Sequence, residues 1–85
     1  MRSAAGPTDA AEKARIELTW RERAAVDSVR AALEADPRQG HPMPDSDLQV
    51  VDLLPEETGG RGISVVYRYS EELDAVLILW LVAGP

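Results

Sequence analysis

The clearest hydrophobic pattern in the chain lies in its last quarter. Two apolar runs, at 63–69 and 75–83, are separated by a polar segment at 70–74. Val, Ile, Tyr and Trp dominate these runs and favour a pleated, half-buried surface, so the pattern predicts a β-hairpin. The second run carries apolar residues on both faces: Val76, Ile78, Trp80 and Val82 on one, and Leu77, Leu79 and Leu81 on the other. We therefore predict that it is an interior strand covered on both sides.

An alternating segment precedes a helical segment in the first half of the chain. Residues 15–21 alternate strictly between polar and apolar, which is the period of a β-strand. Thr19 and Glu22 then match the capping box that begins a helix. This helix should end before Pro37, because a residue that precedes proline avoids the α-helical region.

A second interpretation of the same region stays open on sequence alone. Thr8 and Asp9 can cap one long helix that continues to residue 36, since residues 10–14 are good helix formers. The first interpretation gives the order β-α-β-β-β, and the second gives α-β-β-β. In the first, residues 1–14 form an N-terminal segment that we predict to be disordered.

The remaining segments complete the predicted fold. Residues 48–54 are predicted to form a strand. The stretches at 37–47 and 55–62 are predicted to be loops because they are rich in Pro, Gly and polar residues. We predict a single α+β domain over residues 15–85. In this domain, a small antiparallel sheet of three to four strands packs on one main helix.

Composition excludes several kinds of protein. With 15 acidic and nine basic residues the net charge is −6, so nucleic-acid binding should be weak or absent. The chain has no cysteine, which excludes disulfides and thiolate metal sites. The apolar run at 75–83 is too short to cross a bilayer as a helix, and no signal-peptide pattern is present. We expect a cytoplasmic protein that does not bind membranes.

Few residues suggest chemistry. His41 is the one histidine and lies between prolines and glycine, which is typical of a loop, so we predict no catalytic histidine, no metal and no cofactor. The four candidate binding residues are Arg61, Arg68, Tyr67 and Tyr69. The two tyrosines share one strand face and Arg68 lies on the other. The tyrosines can pack in the core beneath the helix, or join the arginines on a shallow face that meets RNA or a protein partner.

The order of these segments resembles the RelE/ParE toxin superfamily of bacterial toxin–antitoxin systems. The matching features are residues 16–19 as first strand, the helix that follows, the loop at 36–40, residues 48–52 as second strand, the Tyr- and Arg-containing strand at 63–69, and the last strand at 75–83. The resemblance implies an antitoxin as partner. Family members usually place two helices between their first strands, whereas residues 21–47 leave room for one.

The resemblance also locates where a ribonuclease site would lie. RelE-like ribonucleases carry an arginine three residues before the tyrosine that Tyr67 matches, and this chain has Ser64 there. It also lacks their lysines near the second strand and their basic residue after the last strand. RNA cleavage needs cations that stabilise charge on phosphate. ParE-like members, which act on DNA gyrase, lack this set and are the better match.

The combined interpretation is a toxin-like protein that acts through protein–protein contacts and has no ribonuclease activity. If the protein is an enzyme, the resemblance implies a ribonuclease with a rearranged site. The alternative function is a small non-enzymatic structural or interaction domain that forms a homodimer through an edge strand.

Overall fold

The computed structural model describes residues 4–84 and shows a five-stranded sheet with its helices packed on one face. The elements are β1 (Ala4–Pro7), α1 (Asp9–Ile16), α2 (Trp20–Ala35), β2 (His41–Pro42), β3 (Gln49–Leu53), α3 (Pro55–Thr58), β4 (Ile63–Ser70) and β5 (Ala75–Ala83). The strand order is β1-β5-β4-β3-β2, with β1 parallel to β5 and every other pair antiparallel. The predicted α+β class is confirmed. The sheet exceeds the predicted three to four strands because two short strands are added at its edges.

Residues 8–36, for which the sequence left a strand followed by a helix or one long helix, form two separate helices. Thr8 caps α1 by accepting a hydrogen bond from the Ala11 N–H at 3.2 Å, and the predicted capping box of Thr19 and Glu22 begins α2. The predicted strand over 15–21 is wrong, because this alternating stretch is the end of one helix, a short break and the start of the next. Its apolar residues do not share a covered face: Leu18 is buried, whereas Ile16 and Trp20 are exposed.

The N-terminal segment also differs from its prediction. Residues 4–14, expected to be disordered, form β1 and most of α1, so the described fold extends N-terminal to residue 15. Residues 1–3 of that segment, and Pro85 at the other end, lie outside the described residues. The sequence of β1 has no strand-favouring side chain. The strand exists because its backbone pairs with the first four residues of β5.

The predicted hairpin is confirmed as β4 and β5, but a bulge divides β5 into two halves. The register pairs Val66 with Trp80 and then Tyr67 with Ile78, which leaves Leu79 without a partner in β4. An extra residue in one strand reverses the faces that follow it. Ile78 before the bulge and Leu81 after it therefore both pack against the core.

The bulge also decides which residues stay exposed. Leu77, Trp80 and Val82 lie on the sheet face opposite the helices and are 40%, 52% and 55% exposed. The strand is interior in the sheet, between β4 and β1, as predicted. The prediction that both of its faces are covered is wrong, since no helix in the range 4–84 packs on this second face. We call this face the open face.

The core lies between α1, α2 and the inner face of the sheet. Its buried members are Ala11, Leu18, Val26, Val29, Leu33, Leu53, Ile63, Val65, Tyr67, Val76 and Ile78. They come from α1, α2, the break between these helices, and strands β3, β4 and β5. None of the helices between residues 4 and 84 combines the length and apolar character that a membrane-spanning helix requires.

Candidate interaction site on the open face of the sheet

Tyr67, one of the four predicted binding residues, belongs to the core. Its side chain is fully buried, and its hydroxyl accepts a hydrogen bond from the Gly40 N–H at 3.0 Å. The same oxygen lies 2.9 Å from the Pro37 carbonyl oxygen, to which it can donate. Burial raises the pKa of Tyr67. Tyr67 thus joins the loop after α2 to the middle of the sheet and is not available to a ligand.

Arg61 connects the loop after α3 to the start of α2 through an ion pair with Glu22. Its Nε donates to Oε2 of Glu22 at 2.7 Å, and Glu22 is only 4% exposed. Glu22 also accepts from the backbone N–H of Thr19 at 2.8 Å. The hydrogen bond from Arg61, followed by the one from Thr19, lowers the pKa of Glu22, and the same pairing raises the pKa of Arg61. This arrangement is structural and lies on the helix side of the sheet.

The Glu22–Arg61 pair should make stability depend on pH in the acidic range. The pKa of Glu22 in the folded protein lies below its ordinary value of 4.5. The ionised Glu22 therefore contributes fully to the free energy of unfolding at pH values above 4.5. The contribution is lost as pH falls through the lower, folded pKa. We expect Glu22→Gln to unfold at lower urea than wild type at pH 7 and to lose less stability between pH 7 and pH 3.

Arg61→Gln is the matched test of the cause. It should flatten the acid dependence in the same direction, because Glu22 then lacks its main stabilising partner. Urea unfolding followed by circular dichroism at several pH values measures both variants. An Arg61→Gln protein with the full wild-type acid dependence would show that this pair is not responsible.

Tyr69 and Arg68 lie next to each other in β4 but on opposite faces. The Tyr69 hydroxyl donates to Asp74 Oδ1 at 2.9 Å, and the guanidinium of Arg38 stands 5.7 Å from the centre of its ring. Arg68 lies on the open face, where its Nη1 is 3.5 Å from Oδ2 of Asp47. The structure therefore does not bring the four predicted residues together, and of the four only Arg68 is on the open face.

The strand register arranges the open face in rows across the sheet. One row runs from His41 through Val50 and Val66 to Trp80. The next contains Asp52, Ser64 and Val82, and on the other side Arg68 pairs with Leu77. The face is thus polar near β2 and β3 and apolar along β5.

The polar side is organised around one carboxylate. Asp52 accepts a hydrogen bond from Ser64 Oγ at 2.8 Å, and its other oxygen lies 3.0 Å from Nε2 of His41. The interaction with His41, and then that with Ser64, lowers the pKa of Asp52. A nucleophilic triad places histidine between serine and the acid, whereas here the acid lies between them. The cluster therefore contains no activated nucleophile.

Sequence reasoning missed this cluster because His41 was read as a loop residue. It is in β2, a two-residue strand that only its pairing with β3 defines, and no sequence pattern indicates that pairing. The strand assignments did place Asp52 and Ser64 on strands. Within residues 4–84, no group of three or more His, Asp and Glu side chains is arranged to hold a metal ion.

The apolar side of the open face has the character of a protein-binding surface. Leu77, Trp80 and Val82 form a run of exposed apolar side chains on β5. Exposed apolar patches of this kind mark interaction surfaces, and Trp is enriched where protein partners bind. Among the strand residues of this face, Arg68 is the one lysine or arginine.

The comparisons with known proteins agree with this fold. No protein-family model matches the sequence, and no curated protein matches it. A chain of the toxin–antitoxin complex RelBE2 from Mycobacterium tuberculosis superposes with a TM-score of 0.83 at 20% identity, over 99% of this chain and 100% of that one. A chain of the intact RelBE toxin–antitoxin complex of E. coli gives 0.81 at 15% identity, over 98% of each chain.

The isolated RelE toxin of E. coli also gives a TM-score of 0.81 at 15% identity, over 98% of this chain and 85% of the toxin. The resemblance to the RelE toxins that the sequence indicates is therefore confirmed at the level of the fold. The sequence left room for only one helix between the first two strands, whereas the family usually has two. The structure has two there, because α1 and α2 both lie between β1 and β2. The first strand was predicted at residues 15–21 but lies at Ala4–Pro7. The residues between this strand and β2 are therefore enough for both helices.

Proposed function

We propose that this chain is a toxin-like protein of the RelE/ParE type that acts through contacts with a protein partner and has no ribonuclease activity. The observation that carries the proposal is the composition of the open face. This face exposes Leu77, Trp80 and Val82, and its polar side is organised around the Asp52 carboxylate. It does not present the group of positively charged side chains that RNA cleavage needs. The expected setting is a bacterial cytoplasm. The open face would contact the host protein through which the toxin acts, and an antitoxin is the expected regulatory partner.

The centre of the open face is unsuited to phosphate chemistry. Ser64, which stands where the resemblance places an arginine, hydrogen-bonds to Asp52. Asp52 is an ionised carboxylate at neutral pH, and its contacts with His41 and Ser64 lower its pKa further, so it repels a phosphate group. Arg68 is already paired with Asp47. With a net charge of −6, the protein as a whole adds to this repulsion.

The apolar side of the same face suits a partner that brings apolar side chains. Trp residues of this kind often supply most of the binding energy at an interface. Two of the neighbours of the same fold were solved as complexes of a toxin with an antitoxin, which supports an antitoxin as the regulatory partner here. A second copy of the chain would need the same apolar contacts. Measuring the oligomeric state of the purified protein would distinguish a homodimer from a complex with another protein.

Trp80→Ser should remove the biological effect of the protein. Expression of the wild type in a bacterial host is expected to reduce colony counts after induction. Loss of an interface tryptophan costs about 2 kcal/mol or more, which is about a 30-fold weaker contact, so Trp80→Ser should restore growth. Trp20→Ser is the matched control, because Trp20 is also exposed but lies at the start of α2, and it should remain as active as wild type.

Three results would contradict the proposal. Wild-type protein that leaves growth unaffected would argue against a toxin. Purified protein that cleaves messenger RNA, alone or on ribosomes, would show a ribonuclease activity that the proposal excludes. Micromolar binding to RNA at about 150 mM salt, with a steep salt dependence, would point the same way.

A further inference from the structure

The residues of β4 and β5 on the open face form three rows across the two strands. Both residues of the central row are apolar. In each flanking row the β4 residue is polar and the β5 residue is an exposed apolar side chain. The three pairs are Ser64 with Val82, Val66 with Trp80, and Arg68 with Leu77. The two sides of the face therefore match each other about its central row.

This match allows a second copy of the chain to pack on the open face with its strands aligned. Two sheets that pack face to face lie about 10 Å apart, with strand directions within about 30° of each other. A two-fold axis that lies between the sheets and runs along the central row places each flanking row opposite the other flanking row of the second copy. The apolar strand β5 then meets β5 of the second copy. Val82 of one copy faces Leu77 of the other, and the two Trp80 side chains meet.

The polar positions are complementary under the same symmetry. Arg68 of one copy lies opposite Ser64 of the other. Ser64 pairs with Asp52 in the register and donates a hydrogen bond to it at 2.8 Å, so the Asp52 carboxylate is next to the incoming guanidinium. Within one chain Arg68 lies 3.5 Å from Asp47, and both side chains are more than half exposed, so this ion pair is weak and can be exchanged. Two contacts between Arg68 and Asp52 thus fix the orientation of the copies.

An axis along the strands gives a poorer match. It places β3 of one copy over β5 of the other, so the Asp52 carboxylate lies against Val82. Burying an ionised carboxylate among apolar side chains is costly. The distribution of charge on the open face therefore favours the axis along the rows.

The size of the face predicts a weak dimer. The five strands lie about 4.8 Å apart and span about 24 Å, and six residues of a strand are about 20 Å long. Face-to-face packing buries about 500 Å² of each copy, or about 1,000 Å² in total, which is at the lower end for a specific interface. The net charge of −6 on each copy also opposes association. We therefore expect a dissociation constant of about 1–100 µM.

We propose that a second copy of this chain covers the open face in a two-fold symmetric, face-to-face dimer that masks the surface through which the protein acts. The inference rests on the proposed function, because the masked side chains are those that contact the host protein there. The host protein competes with the second copy for one face, so it binds the monomer. The concentration of the chain thereby regulates how much of the open face is free.

Sedimentation equilibrium of the purified protein between about 1 and 500 µM measures the association. The average mass should rise from that of one chain toward that of two. Fluorescence then shows which face is covered, because the chain has two tryptophans and both are exposed. In Trp20→Ser, acrylamide quenching of Trp80 should fall as the concentration rises. In Trp80→Ser the protein should stay monomeric, and quenching of Trp20 should not change.

An exchange of charges tests the orientation of the two copies. Arg68→Glu places two acidic groups at each contact, and Asp52→Lys places two basic groups there. Each variant alone should dimerise at least about tenfold more weakly than wild type. An equimolar mixture should form a mixed dimer of about wild-type affinity, because each contact then joins an acidic group to a basic one. Arg30→Glu, which makes the same charge change on α2, is the matched control and should dimerise like wild type.

Circular dichroism checks that each variant is folded. If Asp52→Lys does not fold, the comparison of Arg68→Glu with Arg30→Glu still tests the contact. A wild-type protein that stays monomeric at about 500 µM would overturn the inference. So would a dimer that persists in both Arg68→Glu and Trp80→Ser, since the copies would then meet elsewhere, or two folded charge variants that fail to associate when mixed. The growth experiment decides the proposed function independently, so the two can fail separately.

Discussion

Tyr67→Ala is expected to lower the free energy of unfolding by about 3–5 kcal/mol, the cost of truncating a large buried aromatic side chain. Tyr67 is the largest fully buried side chain in the described structure, and it packs with residues of α2 and the strands. The truncation leaves a cavity in the centre of the core. It also removes the hydroxyl that holds the loop after α2. Urea denaturation at neutral pH measures the change.

Tyr67→Phe separates the ring from the hydroxyl. The ring is kept, but the Gly40 N–H and the Pro37 carbonyl lose their shared partner. Leaving a fully buried polar group unpaired costs about 1–3 kcal/mol, and Gly40 and Pro37 are only partly buried, so this variant should lie between wild type and Tyr67→Ala, nearer to wild type. If Tyr67→Ala costs less than about 1 kcal/mol, which is far below the range for a buried aromatic, the proposed place of Tyr67 in the core is wrong.

Leu33→Ala should cost about 2–5 kcal/mol, and Leu73→Ala should cost less than about 0.5 kcal/mol. The two residues are matched in type and differ in burial: Leu33 is fully buried on α2, whereas Leu73 is 76% exposed in the hairpin turn. Thermal unfolding and urea denaturation of both variants measure the difference. Equal effects at the two positions would mean that α2 does not pack on the sheet through this face.

Sequence patterns predicted the elements whose signals are local. The hairpin was visible because β4 and β5 are rich in strand-favouring residues on either side of a polar turn. The start of α2 was visible because Thr19 and Glu22 form a reciprocal capping box within one helical turn. Pro37 likewise indicated where that helix ends. In each case, residues near one another in sequence determine the structure.

The features that were missed depend on distant residues. β1 and β2 are strands only because β5 and β3 pair with them, and neither has a sequence that favours a strand. The junction of α1 and α2 resembled a strand because the three apolar residues in and beside the break, Ile16, Leu18 and Trp20, are two apart, although only Leu18 is buried. A period of two over so few residues does not distinguish a strand from a helix junction.

The open face was predictable in part. Alternation along β4 correctly separated Tyr67 from Arg68, and it indicated that the core could take the tyrosine. The bulge at Leu79 carries no local sequence signal, so Trp80 and Val82 were expected on the same face as Ile78. The bulge exposes both of them and thereby forms the apolar half of the candidate interaction site. The exposed apolar part of the candidate interaction site thus depends on this bulge in the longest strand of the described sheet.

The parallel pairing of β1 with β5 also has a consequence for how the protein is made. Contacts between these strands join residues as far as 71 positions apart, whereas β4 and β5 are separated only by a tight turn. Closing the longer loop costs more chain entropy, by about 0.6 kcal/mol for each doubling of its length. On the ribosome, β1 emerges first but has no partner until β5 has been synthesised. The first strand to be made is therefore among the last to be paired, and the nascent chain cannot complete its sheet before almost all of the fold has left the exit tunnel.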